Sequence, residues 1–423
     1  MNISTLKNRI KYISNNKNTH STDSENLKFY IINGILFTIM VSLSKSFAVK
    51  FLFRIGGSAT DVSLFRALPG FVAILATIPG ILWMSKSSNK KSTMGKFFLF
   101  SRIFVLFFAV VPLFPTQYQP IIFIILTSLM NFPEVASATA LQSFSGDIFL
   151  PEERSDAIAL RNKFSTLAQL LSLIILGKLL SGTGKSDSEI IHMYQLFFVI
   201  AFIIGLIETK YFFSMKETSC ETQKSEINFK ISITNAFHNK KFLAFMSCSL
   251  LFHFGWQMGW PLFDIYQIQY LKAAEGWLTI LNITSGFVMF MSFNFWNRMI
   301  HEKGNSLVMA ISTMGMAITP VLFALSPNLY IMTITGLVTG FFTAGTITVI
   351  LSSLLEVIPE KERLVYVGIH ATLTNITLAI APMIGNAILN HSSIYMGLVV
   401  TALFRALGSV AFFIRNKKNT YLL

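Results

Sequence analysis

Cysteine and charge are both scarce in this sequence, and their scarcity excludes several classes of protein. The 423 residues include only two cysteines, Cys220 and Cys248, and neither has the spacing of a disulfide framework or a metal site. Charged residues make up 13% of the chain, with no paired catalytic carboxylates and no Gly-x-x-x-x-Gly-Lys-Ser/Thr phosphate loop. We therefore expect no enzyme, no metal, no cofactor and no ATP-driven step in this chain.

Long hydrophobic runs take up most of the sequence instead. Hydrophobic residues make up 53% of the chain, including 41 phenylalanines, and short polar clusters separate the apolar runs. A helix of about 20 residues crosses about 30 Å of hydrocarbon. The pattern predicts an all-α integral membrane protein with twelve transmembrane helices, at about 29–53, 61–84, 96–115, 119–143, 155–181, 190–213, 242–271, 275–297, 306–325, 328–355, 364–389 and 393–414.

Lysine and arginine are distributed unevenly between the predicted loops. The net charge is +14, and most basic residues fall on the side that also holds both termini, whereas the other side keeps little more than Arg54, Lys185 and Lys272. Because Lys and Arg accumulate in cytoplasmic loops, we predict cytoplasmic termini in the cytoplasmic membrane of a bacterium. The basic excess then reflects topology, with the lipid bilayer and not a nucleic acid as the partner. The first 28 residues lack the apolar core of a cleaved signal peptide.

A short motif occurs twice in the chain. Leu150–Arg154 returns about 208 residues later as Ile358–Arg363, each time between two long apolar runs. One half of the chain therefore resembles a copy of the other, as in transporters built from two parallel helical bundles. We predict a cytoplasmic tail at 1–28, six-helix bundles at 29–214 and 241–414, a polar cytoplasmic linker at 215–240, and a second cytoplasmic tail at 415–423.

Two sets of six spans, a central polar linker and a Pro-acidic-Arg loop after spans four and ten resemble the major facilitator superfamily. The resemblance covers about residues 28–415, but its loop motif is degraded, since 297–306 keeps Gly304 and has His301 where the family has Asp. The Gly-Pro pair of the family's antiporter signature is absent from span five. The resemblance implies a transporter whose central cavity is lined by spans one, four, seven and ten, and it leaves the direction of transport open.

Span four carries a carboxylate inside an apolar run. Glu134 follows Pro133, which loosens a helix by removing a backbone donor. An ionisable group at the bilayer centre costs on the order of 2.5–3.5 kcal/mol, so the few that occur are functional candidates. We predict that Glu134 takes up and releases a proton, and that Asn131 in the same segment contacts substrate. The alternative is a permanent ion pair between Glu134 and a structural cation such as Lys45 of span one.

Span seven has the densest group of polar and aromatic residues. The spacing places six side chains along one stripe of a helix, which should face protein or water and not lipid: His253, Trp256, Gln257, Trp260, Asp264 and Gln267. The resemblance places this stripe toward the central cavity, and we predict that Trp256, Gln257, Trp260 and His253 bind substrate. The alternative is an interfacial aromatic belt, which suits Trp277 better than Trp256.

The repeated Pro-acidic-Arg loops predict a cytoplasmic gate. Asp147 with Arg154, and Glu356 with Arg363, have mirrored positions at the ends of spans four and ten. Ion pairs there would break and re-form as the two bundles move. The alternative is a plain helix start, since Pro fits the first turn and carboxylates are favoured at the positive end of the helix dipole.

The sequence therefore predicts a monomeric secondary transporter of a small molecule, working by alternating access with H+ as the coupling ion. Efflux of an amphipathic compound fits the tryptophans and the single central carboxylate best. Uptake of a small organic solute is the alternative, and a transporter-like receptor that binds without transport is a further one.

The predicted topology places Cys220 in the cytoplasmic linker. A membrane-impermeant thiol reagent should therefore label Cys220 only after the cell is opened. A Cys220→Ser variant shows how much labelling comes from Cys248. Labelling of Cys220 in intact cells would overturn the topology.

Overall fold

The computed structural model describes residues 21–86, 89–149, 151–180, 186–216, 229–359 and 362–420, and the regular structure in these ranges is helical. The longer helices are α1 (Ser21–Lys45), α2 (Ala48–Arg54), α3 (Ala59–Lys86), α4 (Lys90–Val110), α5 (Gln119–Ile148), α6 (Pro151–Leu180), α7 (Asp187–Ser214), α8 (Phe229–His238), α9 (Lys240–Ile265), α10 (Glu275–Lys303), α11 (Asn305–Ala324), α12 (Leu329–Val357), α13 (Arg363–His391) and α14 (Ile394–Thr420). A single 3-10 turn, Val111–Leu113, follows α4, and a π turn, Tyr266–Tyr270, follows α9.

Eleven segments of the described chain are long and apolar enough to cross a membrane, and α1 with α2 forms the first of them. The 26-residue helix α9, which contains the predicted span seven, is not among the eleven. Its polar residues, including His253 and Gln257, lower its mean hydropathy. The multi-pass helical architecture is thus present, and the count of twelve spans stays a prediction.

Several predicted boundaries differ from the helix ends. Helix α1 begins at Ser21, inside the predicted N-terminal tail, and α14 continues to Thr420. Helix α8 lies inside the predicted linker 215–240, because Phe229–His238 carries enough apolar residues to pack on α13 and α9. The predictions made for Leu150, Lys185, Cys220, Glu360 and Lys361 lie outside the described residues.

The two halves of the chain use the same pairing of helices. In the first half α1 packs on α6 and α7, α3 on α5, and α4 on α5 and α7. In the second half α9 packs on α13 and α14, α10 on α12, and α11 on α12 and α14, which is the same pattern six spans later. Contacts between the halves are also paired, since α3 packs on α13 and α10 on α6. The repeated pairing agrees with the duplicated sequence motif.

Aromatic contacts fill the interior of the first half. The Phe51 ring meets Phe123 edge-on at 5.0 Å and Phe198 at 5.2 Å between ring centroids. Helices in a membrane gain little from the hydrophobic effect, so close van der Waals and aromatic packing hold them together.

A buried arginine holds together three helices of the second half. Arg405 of α14 is 1% exposed, and its Nη1 donates to the Met316 carbonyl at 2.9 Å. Pro320 lacks the N–H that would normally bond that carbonyl. The guanidinium also donates to the carbonyls of Gly255 and Trp256 at 3.3 and 3.2 Å. Arg405 therefore fixes the backbone of α9 where the predicted substrate stripe lies.

The first half contains an ion pair that is almost completely shielded. Arg102 Nη2 of α4 lies 2.9 Å from Glu208 Oε2 of α7, and each side chain is 1% exposed. Asn33 Nδ2 of α1 donates to the other carboxylate oxygen at 2.5 Å. Three helices therefore meet at one carboxylate.

Removing one partner of this pair leaves an uncompensated buried charge. Glu208→Gln should destabilise the protein by about 3–5 kcal/mol, measured as a lower thermal unfolding midpoint of purified protein in detergent. Glu302→Gln removes a carboxylate of an exposed pair with Arg298 and should cost only about 0–1 kcal/mol. Equal losses in the two variants would contradict the structural role of the buried pair.

Candidate functional site

An ion-pair cluster joins the two halves of the chain at one end of the molecule. Arg54 of α2 holds Glu275 of α10 with two hydrogen bonds, Nε to Oε1 at 2.6 Å and Nη2 to Oε2 at 3.0 Å. Arg54 Nη1 also pairs with Asp187, and the Tyr194 hydroxyl donates to Glu275 at 3.4 Å. Glu275 is 1% exposed, so this fork geometry acts away from water.

Three further polar contacts cross between the halves at the same end. Arg66 of α3 pairs with Asp264 of α9 at 2.7 Å. Lys50 Nζ donates to the Ala273 carbonyl at 2.9 Å. Asn386 Nδ2 of α13 donates to Thr60 Oγ1 of α3 at 3.2 Å. We call this region, formed by 50–66, 264–279 and 386 with their partners, the sealed end.

Backbone packing closes the sealed end further. A Cβ at Gly70 of α3 would lie 2.8 Å from the Ala379 nitrogen and 3.0 Å from the Asn375 carbonyl of α13. A Cβ at Gly177 of α6 would overlap Thr279 of α10. Glycine at position 70 therefore lets α3 and α13 touch at backbone distance, and glycine at position 177 leaves space for the Thr279 side chain.

A cavity of about 600 Å³ lies at the sealed end within the first half, lined by Arg54, Gly56 and His192 among others, and two further cavities lie on the side away from the sealed end. One of about 280 Å³ lies inside the first half, between α1, α4, α5, α6 and α7, and is lined by Glu134, Arg161 and Glu208 among others. The other, of about 350 Å³, separates α6 from α10 and is lined by Ser46, Gln169, Asn282 and Phe290 among others. The halves are therefore joined at one end and separated by open space further along the same helices.

Glu134, the predicted proton carrier, lies at the edge of the first cavity. Its Oε2 is 2.5 Å from Lys45 Nζ of α1, and the two side chains are 15% and 31% exposed. The pair with Lys45 is the geometry of the structural alternative. If the Glu134 carboxylate takes up a proton, it loses its negative charge, and Lys45 loses its ion-pair partner.

Glu134 is not the single carboxylate in the interior of the first half. Glu208 is buried and paired with Arg102, and Arg66 of α3 also has a carboxylate partner on another helix, Asp264 of α9. The sequence contains one hint of the Arg102 pair, because Arg102 and Glu208 each lie within an apolar run and would need a partner of opposite charge there.

The aromatic part of the predicted stripe forms one contiguous group on α9. The Trp256 and Trp260 rings meet edge-on at 6.4 Å between centroids, and the His253 ring lies 5.7 Å from Trp256. All three side chains are half-buried. They offer an apolar and partly accessible surface.

The amides of the predicted substrate site are already bonded to neighbouring helices. Gln257 is buried, donates to the Thr374 carbonyl at 3.2 Å and accepts from the Thr377 hydroxyl at 2.5 Å. Asn131 donates to the Pro69 carbonyl of α3 at 2.8 Å. In this conformation both amides serve helix packing.

A second histidine joins His253. Ser249 Oγ lies 3.2 Å from His253 Nδ1 and 3.0 Å from His370 Nε2 of α13. The network connects α9 to α13 beneath the aromatic group. No cluster of three His, Cys, Asp or Glu side chains suited to a metal ion occurs in the described part of the chain.

The predicted cytoplasmic gate is only partly described. The side chains of Asp147, Arg154 and Arg363 lie outside the described part of the structure. Glu356 is exposed and accepts from Asn305 Nδ2 at 2.9 Å. Helix α6 begins at Pro151, in agreement with a proline in the first turn, whereas α13 begins four residues after Pro359.

Comparison with known proteins gives a family and a fold. The profile described as Major Facilitator Superfamily matches residues 28–303 and 245–421. No curated protein matches the sequence.

Solved structures of transporters have the same fold at low identity. A point mutant of the nucleoside transporter NupG is 13% identical, with a TM-score of 0.70, and the match covers 92% of this chain and 99% of that one. A bacterial homologue of the human lysosomal transporter Spinster, inward-facing and unoccupied, is 13% identical with a TM-score of 0.68, covering 94% and 97%. The xylose transporter XylE from E. coli, in a partially occluded inward-open conformation, is 13% identical with a TM-score of 0.66, covering 92% and 97%.

The sealed end should loosen when its central carboxylate loses its charge. In a variant with Cys220 and Cys248 replaced by Ser, a cysteine introduced by Thr279→Cys lies against Gly177 and should react slowly with a thiol reagent in purified protein. Adding Glu275→Gln should raise the rate roughly tenfold, since a hydrogen bond to a charged group contributes about 1.5–3 kcal/mol.

The matched control is Asp61→Asn, which removes a carboxylate whose hydrogen bonds go to Ser58 of the adjoining connection. This control should leave the rate unchanged. Equal rates with and without Glu275→Gln would show that the Arg54 pair does not hold the two halves together.

Proposed function

The chain belongs to the Major Facilitator Superfamily, and from that premise we propose that it is a secondary active transporter which moves a small molecule by alternating access, coupled to protons. The observation that carries this proposal is that the two halves are in contact at the sealed end and are separated by the cavity of about 350 Å³ further along α6 and α10. A path that is closed on one side and open on the other is one half of an alternating-access cycle.

The distribution of Lys and Arg between the loops indicates which side of the membrane each end of the protein faces. The sealed end adjoins 55–58 and 271–274, which the positive-inside pattern places outside the cell. The two cavities away from the sealed end then open toward the cytoplasm, and the conformation is inward-facing. The protein lies in a bacterial cytoplasmic membrane as a monomer, with both termini inside.

The opposite step of the cycle needs the sealed end to open. The Arg54 and Arg66 pairs then separate, and α3 moves away from α13 around Gly70. The cytoplasmic pairs, Asp147 with Arg154 and Glu356 with Arg363, form in exchange and close the inner side. Ion pairs can be exchanged in this way because water solvates the charges of the pairs that have separated. The inward-facing and outward-facing conformations then differ little in free energy.

Glu134 is the proton-coupling group in this proposal. Proton uptake neutralises the carboxylate and releases Lys45, which changes the contact between α5 and α1. Those are the two helices of the first half that the family resemblance places beside the central cavity. The cavity next to Glu134 provides its proton with a route to water.

The aromatic group on α9 is the substrate surface from the second half. Trp256 and Trp260 bind an apolar body by stacking and burial, and His253 contributes a polar edge. Gln257 and Asn131 exchange their present partners for substrate as the helices move. An amphipathic compound satisfies these groups, and we propose efflux as the direction.

Transport by purified protein in proteoliposomes tests the function. A compound found by thermal stabilisation is suitable, because a ligand that binds the folded state stabilises it by RT ln(1 + [L]/Kd). The wild type should accumulate this compound only when a pH gradient is imposed. Binding without any flux would favour the receptor alternative, and flux unaffected by the gradient would remove proton coupling.

Glu134→Gln fixes the neutral form and keeps the shape of the side chain. Gradient-driven accumulation should be lost, whereas exchange of labelled for unlabelled substrate, which needs no net proton movement, should persist. Glu302→Gln, at an exposed carboxylate, is the matched control and should transport normally. Retained accumulation in Glu134→Gln would contradict the proposed role, and loss of folding would instead favour a structural pair with Lys45.

A further inference from the structure

The 280 Å³ cavity of the first half has an unequal number of positive and negative side chains around it. Glu134, Arg161 and Glu208 line it. Glu134 is paired with Lys45, and Glu208 with Arg102. Among the described residues, the third cation, Arg161, has no carboxylate within ion-pair distance.

The environment of Arg161 supplies dipoles, an aromatic face and one carboxylate beyond ion-pair distance, that of Glu208, which already binds Arg102 and Asn33. Its Nη2 donates to Asn33 Oδ1 at a long 3.4 Å, and its guanidinium lies 5.0 Å from the centroid of the Tyr30 ring. Its Nε is buried without a hydrogen-bond partner among the described residues. The Ser165 hydroxyl, one turn further along α6, is also buried and unsatisfied.

A glycine lets the arginine lie in this position. A Cβ at Gly34 of α1 would come within 2.6 Å of Arg161 Cγ and 2.8 Å of both Arg161 Nε and Ser165 Oγ. The stem of Arg161 therefore lies directly on the backbone of α1. This close fit holds the guanidinium at the cavity wall and away from the exposed surface of α6.

The described side chains that line the cavity, together with their ion-pair partners, carry a net charge of one positive unit. Lys45, Arg102 and Arg161 contribute three positive charges, and Glu134 and Glu208 contribute two negative ones. A buried charge without a partner is costly, and an anion that enters the cavity removes that cost. A group with one negative charge balances the site, whereas a phosphate monoester carries about −1.5 to −2 and would add repulsion from the two glutamates.

We propose that Arg161 binds a carboxylate and that the transported compound is an amphipathic organic monoanion. Guanidinium is planar and matches a carboxylate with two parallel hydrogen bonds. The remaining wall of the cavity includes Phe37, Phe98, Leu141 and Ile158, which cover the apolar atoms next to that carboxylate. The assignment of a transported compound rests on the proposed function, but the anion site itself does not.

The size of the cavity agrees with this class of ligand. Pockets that enclose drug-sized molecules measure about 300–1,000 Å³. A cavity of about 280 Å³ is at the lower limit and suits a carboxylate with a short apolar chain or one ring.

A pair of probes that differ only in charge tests the anion site. We choose 3-phenylpropionate and its uncharged amide, 3-phenylpropionamide, and measure binding to purified full-length protein by calorimetry and by thermal stabilisation. The acid should bind roughly tenfold or more tightly than the amide, as one charge-assisted hydrogen bond requires. Phenyl phosphate should bind more weakly than the acid.

Variants at Arg161 assign the effect to this residue. Arg161→Gln should weaken binding of the acid roughly tenfold or more and leave binding of the amide unchanged, and Arg161→Lys should retain part of the preference for the acid. Lys163→Gln removes the same charge at an exposed position two residues away on α6 and should behave like the wild type. Gly34→Ala, which displaces the Arg161 stem, should also reduce the preference.

Each result decides for or against the site. No preference for the acid, absence of acid binding, or an unchanged preference in a folded Arg161→Gln variant overturns the proposal. A preference that depends on Arg161 supports it even if Arg161→Gln is less stable, because the amide measured on the same sample reports folding. Acid binding without flux in proteoliposomes would refute transport and keep the anion site, whereas gradient-driven flux of uncharged compounds alone would refute the anion site and keep transport.

Discussion

The bidentate pair between Arg54 and Glu275 is the contact on which the arrangement of the two halves depends. It joins residues 221 positions apart in the chain, at a site where Glu275 is shielded from water. Gly70 brings the backbones of α3 and α13 together, and Gly177 accepts the Thr279 side chain, so polar and steric contacts close the same end. The cavity between α6 and α10 lies further along the same helices, where the two halves are no longer in contact.

The two halves share one pattern of helix pairing but offer different chemistry. The first half places charged side chains around its cavity: Glu134, Lys45, Arg161, Glu208 and Arg102. The second half offers rings on α9, and its buried cation Arg405 is bonded to backbone carbonyls. In the proposed function the first half contributes the charged groups and the second half contributes the apolar surface. Duplication supplied the scaffold, and divergence of a few side chains supplied this polarity.

Many residues of the candidate site could be predicted from the residue types in the sequence and from their helical spacing. A carboxylate in an apolar run identified Glu134, and the 3.6-residue period identified the group around Trp256 and Trp260. The pair between Arg54 and Glu275 was not predicted, because charged residues near span ends are common and usually face water. Gln257 shows a second limit, since periodicity places it beside Trp256, but only the position of α13 shows that its amide is bonded to Thr374 and Thr377.

The sequence by itself determined the multi-pass helical architecture and the duplication, because apolar run length and a repeated motif are local properties of the chain. It also limited the site to a few rare polar residues in apolar runs. Only the tertiary structure decided which charges are paired, which end is sealed and that Arg161 is left without a carboxylate within ion-pair distance among the residues described. Periodicity gives the face of a helix, whereas the partner on that face depends on which distant helix approaches it and how closely its backbone can come.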